Sequence, residues 1–172
     1  QIVESISGVL YMLPLGMASA VALRIGKADG AEQAARLRPM GLAALVMAGG
    51  WMLVATGGLL IVGGPIAAAL SMDPAVVTLT TTLFAVVALM QVFDGTQSTA
   101  LGALRGMTDH HWPAMLCLVA YWGVSLPTAY VIGWVLEVGP AGVWIGYGAG
   151  LAFAAVALSL RFWRLSGPVV ES

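Results

Sequence analysis

The chain has 172 residues, of which 60% are hydrophobic and only 9% are charged, and its mean hydropathy is +0.95. Soluble domains carry about 25% charged residues, so the composition excludes a soluble domain and predicts an all-α polytopic membrane protein. The formal net charge of −1 gives no reason to expect a nucleic-acid partner. The sequence starts at Gln1 with no initiator Met and no signal peptide, so we expect a piece of a longer protein.

Five apolar runs predict five transmembrane helices, at about 5–23, 39–62, 75–104, 113–135 and 142–160. The third run would cover roughly 45 Å at 1.5 Å per residue, more than the hydrocarbon core, so it should tilt, bend or protrude. Pro14 and Pro127 predict kinks, because proline removes a backbone hydrogen bond and crowds the preceding turn.

The remaining segments are expected to connect these helices or to follow them. Residues 24–38 predict a cytoplasmic connector, with a turn at Gly26 and Gly30 and then a short surface helix. Residues 161–172 predict a cytoplasmic tail. Gly63, Gly64 and Pro65 are expected to end the second helix and to open a short apolar connector that reaches Pro74.

The basic residues predict the orientation of the chain in the membrane. All seven fall on one side of the five-helix arrangement, which the positive-inside rule makes cytoplasmic. They are Arg24, Lys27, Arg36, Arg38, Arg105, Arg161 and Arg164. The start of the chain would then lie outside and its end in the cytoplasm, as in a multi-pass protein of the inner (plasma) membrane.

One carboxylate, Asp94, stands inside the third apolar run. It lies eleven residues before Arg105, which places it roughly 16 Å from that edge, about half the hydrocarbon thickness. An ionisable side chain at this depth costs roughly 2.5–3.5 kcal/mol on insertion scales and is by default a functional group. We therefore predict a proton- or cation-binding site at Asp94, facing the protein interior or a water-filled cavity.

Polar side chains surround this acid along the helix. Gln91 lies one turn before Asp94 and Ser98 one turn after it on the same face, and Gln97 is a further supporting residue three positions on. Gly95 is expected to leave room beside the carboxylate. The alternative is an acid that is merely satisfied by hydrogen bonds between helices. We favour the functional interpretation, because the adjoining span contains no Lys, Arg or His to pair with the acid.

Other candidate sites are weaker. His110 and His111 follow Asp109 in a cytoplasmic turn, where adjacent histidines rarely share one metal, so a loop role is favoured over a metal site. The sequence has no nucleophile–base spacing, no phosphate-binding glycine loop and no zinc pattern, so we expect neither an enzyme nor a cofactor other than a coupling ion. Its only cysteine, Cys117, has no partner in this chain for a disulfide.

Two features of the last helices predict packing. Gly142, Gly146 and Gly150 repeat every four residues, which is typical of helices that approach closely. Tyr121 and Trp144, among the aromatic side chains here, are interpreted first as amphipathic or core residues and only second as groups that stack on a substrate.

The motifs of the chain, taken together, resemble the multidrug and toxic compound extrusion (MATE) transporters over nearly its whole length. They are MLPLG at 12–16, RIGKADG at 24–30, FDGTQ at 93–97, GALRGMTD at 102–109 with Pro113 after it, YWG at 121–123, LP at 126–127 and GPAGVWIG at 139–146. Their order and spacing follow those of the eighth to twelfth helices of that family. Glu4 and Ser5 depart from the family's usual residues.

The resemblance implies a twelve-helix transporter of two six-helix lobes, driven by a proton or sodium gradient, that exports cationic amphipathic drugs or toxins. Residues 1–172 would be most of the C-terminal lobe without its first helix, and their partners would be the lipid bilayer and the missing N-terminal lobe. Asp94 falls on the acidic position of the tenth helix, which marks the NorM-like branch. That branch uses a second acid on the seventh helix, outside this chain.

Three alternatives stay open at this point. A lipid-linked-sugar flippase of the same superfamily would be favoured by a cavity lined with several arginines, which the predicted spans lack. A non-transporting, truncated membrane subunit would be favoured if the natural reading frame had 172 residues. An intramembrane enzyme is the weakest alternative, because no catalytic set is present.

Overall fold

A computed structural model of the chain describes residues 2–70 and 72–167, with side chains described at 8–69 and 72–167. The side chains of Glu4 and Ser5 lie outside these ranges. Within them, five helices are long and apolar enough to cross a membrane. They are α1 (Ile2–Gly30), α2 (Ala34–Leu70), α3 (Pro74–Gly106), α4 (His111–Val135) and α5 (Pro140–Leu165). The prediction of an all-α polytopic membrane protein with five long helices is confirmed.

The first connector is shorter than the sequence predicted. α1 continues through Gly30 and α2 begins at Ala34, so most of the segment 24–38 is helical and the expected turn at Gly26 is wrong. Glu32, with a φ of 56°, lies in the three-residue turn between the two helices. Charged side chains at the end of a membrane helix can extend into water, so placing them there costs no free energy. The point at which the sequence becomes hydrophilic therefore does not mark the end of α1. Gly26 instead packs near the backbone of Gly106.

The second connector is also shorter than expected. α2 continues past Gly63, Gly64 and Pro65 to Leu70, and the break predicted at these residues is wrong. Gly63 gives space to a neighbouring helix, because a Cβ atom there would lie 3.1 Å from the Cβ of Phe84. Glycine and proline inside membrane helices are tolerated where neighbouring helices pack against them. α5 likewise continues to Leu165 beyond the expected end at 160.

The start of α3 agrees with its sequence. The side chain of Asp73 accepts a hydrogen bond of 2.9 Å from the backbone N–H of Ala75, which satisfies one of the free donors at the first turn. Pro74 occupies the first turn, where its missing N–H costs nothing. The observed bounds of α3 lie within two residues of the predicted 75–104.

α4 is irregular around Pro127. Its backbone widens to π-type turns at Val119–Ser125 and Val131–Val135, with α-helical geometry at Leu126–Tyr130 between them. Because proline cannot donate a hydrogen bond and its ring crowds the turn before it, a widened turn at this place accommodates it. Single π-type turns inside α-helices are frequent at functional sites.

α3 is the central helix, and it packs against α1, α2 and α5. Its contact with α1 is a backbone contact, since a Cβ atom on Gly102 would lie 2.3 Å from the carbonyl oxygen of Ala18. The predicted glycine row of α5 makes the same kind of contact with α4, because a Cβ atom on Gly146 would lie 2.2 Å from the backbone nitrogen of Ala129. The predicted close helix packing is confirmed.

The basic residues gather at one end of the bundle. The Arg38 guanidinium lies 3.8 Å above the ring of Trp163 and donates a hydrogen bond of 3.0 Å to its carbonyl oxygen. Arg161 forms an ion pair of 2.5 Å with Asp109. These contacts join the start of α2, the turn after α3 and the end of α5.

The α1–α3 contact yields a stability prediction. Replacing Gly102 with Ala should lower the free energy of unfolding by about 1–3 kcal/mol, because the added methyl group meets backbone that cannot rotate away. The measurement is thermal unfolding of the full-length protein in detergent. The matched control is Gly58→Ala at an exposed position of α2, where nothing lies within 4 Å of the new methyl group. Equal stability of the two variants would contradict the proposed contact.

Candidate functional site

Asp94 lines a cavity of about 530 Å³ that lies among four of the five helices. Tyr11 of α1, Val87 and Asp94 of α3, Ser125 of α4, and Trp144 and Tyr147 of α5 are among the residues that line it. Among the described residues of this lining, Asp94 is the only acidic one, and the other groups are mostly apolar or aromatic. The prediction that this acid faces a cavity agrees with this geometry.

The packing of Gly95 explains why Asp94 points into the cavity. A Cβ atom on Gly95 would lie 2.6 Å from Cγ of Met52 and 3.5 Å from Cγ of Pro14, so this position faces α2 and α1. Consecutive residues of a helix point about 100° apart, which turns the neighbouring Asp94 side chain away from that contact. The expectation that Gly95 leaves room beside the carboxylate is wrong, because Met52 fills the space.

Asp94 makes no hydrogen bond and no ion pair with any residue whose side chain the structure describes. Its side chain is half-buried, and the cavity around it offers mainly apolar surface. A carboxylate held there only for hydrogen bonding between helices would need such partners. Within the described part of the chain, the arrangement favours an acid that is available to bind a ligand.

The polar residues near Asp94 face different neighbours. Gln91 is buried and lines a second, small cavity of about 40 Å³ together with Asp94 and Tyr147. Ser98 forms a hydrogen bond with the hydroxyl of Tyr11, which connects α3 to α1.

Gln97 faces α4 instead. Its amide nitrogen donates a hydrogen bond of 3.0 Å to the hydroxyl of Tyr121, and it lies 3.8 Å from the sulfur of Cys117. The structure therefore brings Gln91 beside Asp94, joins Ser98 to the cavity wall through Tyr11, and directs Gln97 to an interhelical contact.

Aromatic side chains form a wall that the sequence reasoning largely missed. Tyr147 stacks on Tyr121, with ring centroids 6.0 Å apart, and makes an edge contact with Trp144 at 6.2 Å. The sequence favours an amphipathic or core role for Trp144, and Tyr11 and Tyr147 are not among the predicted site residues. The available signal was the three-residue spacing of Trp144 and Tyr147, which places both on one face of α5.

No group of three or more His, Cys, Asp or Glu side chains that could hold a metal occurs among the described residues. His110 and His111 are exposed at the start of α4, and Asp109 beside them pairs with Arg161. What the cavity can do chemically is therefore confined to the carboxylate of Asp94 and to the hydroxyls and aromatic faces around it.

Five apolar helices, four of which surround a cavity with one acid among its described residues, define a multi-pass α-helical membrane protein. The MatE family model matches residues 1–131, and the chain therefore belongs to the MatE family. The family expected from the sequence motifs is confirmed.

The relatives are named as multidrug resistance proteins. A probable multidrug resistance protein NorM from Idiomarina loihiensis is 37% identical over 96% of this chain and 37% of its own length. The multidrug resistance protein PmpM from Pseudomonas aeruginosa is 36% identical over 95% of this chain and 35% of its own length. This chain thus spans little more than a third of the length of these relatives.

A solved structure has the same fold. The eukaryotic MATE transporter AtDTX14 matches 96% of this chain with a TM-score of 0.84, at 22% sequence identity and over 39% of its own chain. The five helices therefore have the arrangement of part of a MATE transporter.

The lack of a partner for Asp94 among the described side chains yields a stability prediction. Replacing Asp94 with Asn should leave the melting temperature of the full-length protein unchanged or raise it, because no described contact is lost and a desolvated charge is removed. Gln97→Leu should lower the free energy of unfolding by about 1–3 kcal/mol, because it leaves the Tyr121 hydroxyl without its partner. Thermal unfolding in detergent compares the two variants. Equal destabilisation by both would assign Asp94 a structural role.

Proposed function

We propose that this chain forms part of a secondary multidrug antiporter, which exports cationic amphipathic compounds in exchange for protons or sodium ions. The observation that carries the proposal is the half-buried carboxylate of Asp94, which has no partner among the described side chains, in a cavity of about 530 Å³. Membership of the MatE family and relatives named as multidrug resistance proteins support it.

The coupling follows from competition for one charge. An ionised Asp94 attracts either a small cation or an organic cation, whereas a neutralised Asp94 attracts neither. Binding of the coupling ion from outside therefore displaces the drug, and release of the ion to the cytoplasm restores the site. Because a ligand shifts an equilibrium only by its differential affinity, Asp94 must bind its ligands unequally in the outward- and inward-facing states.

The cavity wall suits an organic cation. Its volume falls in the usual range for small-molecule sites, which is about 300–1,000 Å³. Trp144 and Tyr147 supply aromatic faces, which attract cations through the ring quadrupole. No arginine is among the described residues that line this cavity, so the anionic substrate of a lipid-linked-sugar flippase is not favoured.

The movement that opens the cavity to one side of the membrane and then to the other would act on close contacts between helices. Glycines bring α1 against α3 and α4 against α5, and all four of these helices contribute residues to the cavity lining. α4 also contributes Ser125 and Ala129 to the lining beside its widened turns. Neutralising Asp94 would change the packing of α3 against these helices. The lobe would then rock against the rest of the transporter, which also contributes a second acid from the preceding helix.

The orientation completes the proposal. With the basic end of the bundle in the cytoplasm, the end of α5 is cytoplasmic and the protein lies in the inner (plasma) membrane. The coupling ion is the only cofactor that this mechanism requires, and no enzymatic step takes part.

Transport by the full-length protein tests the role of Asp94. Asp94→Asn should abolish ion-coupled efflux of a fluorescent organic cation at equal membrane abundance, because an amide cannot alternate between charged and neutral states. Efflux is measured in cells or vesicles with sodium and pH gradients imposed separately, so that the effective gradient names the ion. Glu137→Gln, at an exposed loop position, is the control and should transport normally. Full efflux by the Asn variant would move the coupling site outside this chain.

The aromatic wall gives a separate prediction about substrate affinity. Trp144→Ala should weaken binding of an organic cation about 2- to 30-fold, the equivalent of roughly 0.5–2 kcal/mol for a lost cation–π contact. Fluorescence titration of the purified full-length protein measures the affinity. Trp122→Ala removes an exposed indole of α4 that does not line the cavity, and it should bind normally. Equal effects of the two changes would contradict a substrate role for Trp144.

A further inference from the structure

A second cleft lies at the basic end of the bundle, between α4 and α5. Its volume is about 400 Å³, and its lining combines an indole, two guanidinium groups and aliphatic side chains. These are Trp112, Leu116, Ala157, Leu160, Arg161, Arg164 and Leu165. None of them lines the cavity around Asp94, so the proposed transport mechanism does not use this cleft.

The two arginines of the cleft differ in their partners. Arg161 forms the ion pair with Asp109, and its guanidinium carbon lies 5.3 Å from the centroid of the Trp112 ring. Arg164 follows one turn later on the same face of α5 and forms no ion pair with any described residue. The cleft therefore carries one neutralised and one uncompensated positive charge at its polar end.

The rest of the cleft is apolar and open to the surroundings. Leu160 is 54% exposed. Leu116 lies one turn closer than Trp112 to the middle of α4, and Ala157 lies one turn closer than Arg161 to the middle of α5. Trp112 is 59% exposed, and tryptophan is enriched where membrane proteins cross the interface between headgroups and acyl chains. Apart from Leu165 at the end of α5, the lining thus changes from cationic to aliphatic along the direction in which a lipid molecule changes from headgroup to acyl chain.

From this order of charges and apolar groups, we infer that the cleft binds an anionic phospholipid. Its phosphate accepts hydrogen bonds from Arg164 and Arg161, and an acyl chain lies along Leu116, Ala157 and Leu160. Arginine suits the phosphate because its planar guanidinium donates two parallel hydrogen bonds. Basic pockets between membrane helices on the cytoplasmic side bind anionic headgroups in this way. A soluble anion would use the arginines but leave the aliphatic part of the cleft empty.

The lipid also has a structural consequence. It would join the end of α5 to the start of α4, and the Asp109–Arg161 pair ties the turn after α3 to the same place. The occupied cleft would therefore hold together the basic ends of three helices. This inference depends on the membrane setting of the family and is independent of the coupling role proposed for Asp94.

Lipid retention by the purified full-length protein tests the inference. Native mass spectrometry counts the molecules of phosphatidylglycerol and phosphatidylcholine that remain bound after each lipid is titrated separately. Arg164→Gln should weaken retention of phosphatidylglycerol about five-fold and leave phosphatidylcholine unchanged, since one arginine near an anionic surface contributes about that factor. The matched control is Arg36→Gln, which removes an exposed charge at the same end of the bundle but outside the cleft.

A second variant separates the cleft from general surface charge. Ala157→Phe keeps every charge but fills the aliphatic part, so it should also lower retention of phosphatidylglycerol. Equal losses for Arg164→Gln and Arg36→Gln, or native retention by a folded Ala157→Phe protein, would overturn the inference. Size-exclusion chromatography and thermal unfolding check the fold, and if Ala157→Phe fails to fold, the comparison of the two arginine variants decides.

Discussion

The free energy cost of keeping a carboxylate among apolar helices is the constraint on which the rest of this structure depends. Asp94 is half-buried and has no hydrogen-bonding or charged partner among the described residues, so its ionised form is stabilised only by what enters the cavity. A partner such as arginine would lower the free energy cost of burying the ionised acid, but it would also neutralise its charge permanently. The unpaired state is therefore the property that makes reversible binding possible, and the surrounding helices must supply the stability that this acid does not.

That stability comes from close backbone contacts, which also determine the shape of the cavity. Gly102 and Gly106 bring α3 against α1, and Gly146 brings α5 against α4. With no hydrophobic driving force between helices in lipid, such contacts gain dispersion energy that larger residues could not provide. Since Met52 and Pro14 fill the other side of α3 at Gly95, the carboxylate of Asp94 lies on the side of α3 that lines the cavity. One face of α3 thus packs against α1 and α2, whereas another face carries Asp94 and lines the cavity.

The errors of the sequence-based predictions have a common physical cause. Gly63, Gly64 and Pro65 resemble a helix break in isolation, but α2 continues through them because Phe84 of α3 packs against the glycine. Gly95 was expected to leave room for the side chain of the neighbouring Asp94, although Met52 of α2 occupies the space beside it. Tyr11 and Tyr147 were missed for the same reason, since each becomes a site residue only by facing Asp94 from a different helix. A local pattern describes one helix, whereas these roles belong to pairs of helices.

Hydrophobicity, charge and spacing along the chain were sufficient for the five helices, their all-α class and the family. These properties depend on transfer free energy and on residue order, both of which can be read from one chain. The tertiary structure alone decided where α1, α2 and α5 end, which side chains share the cavity with Asp94, and that Gln97 bonds to Tyr121 while Ser98 bonds to Tyr11. Such contacts depend on how closely helices approach and how each is rotated, and those quantities arise only when the helices pack together.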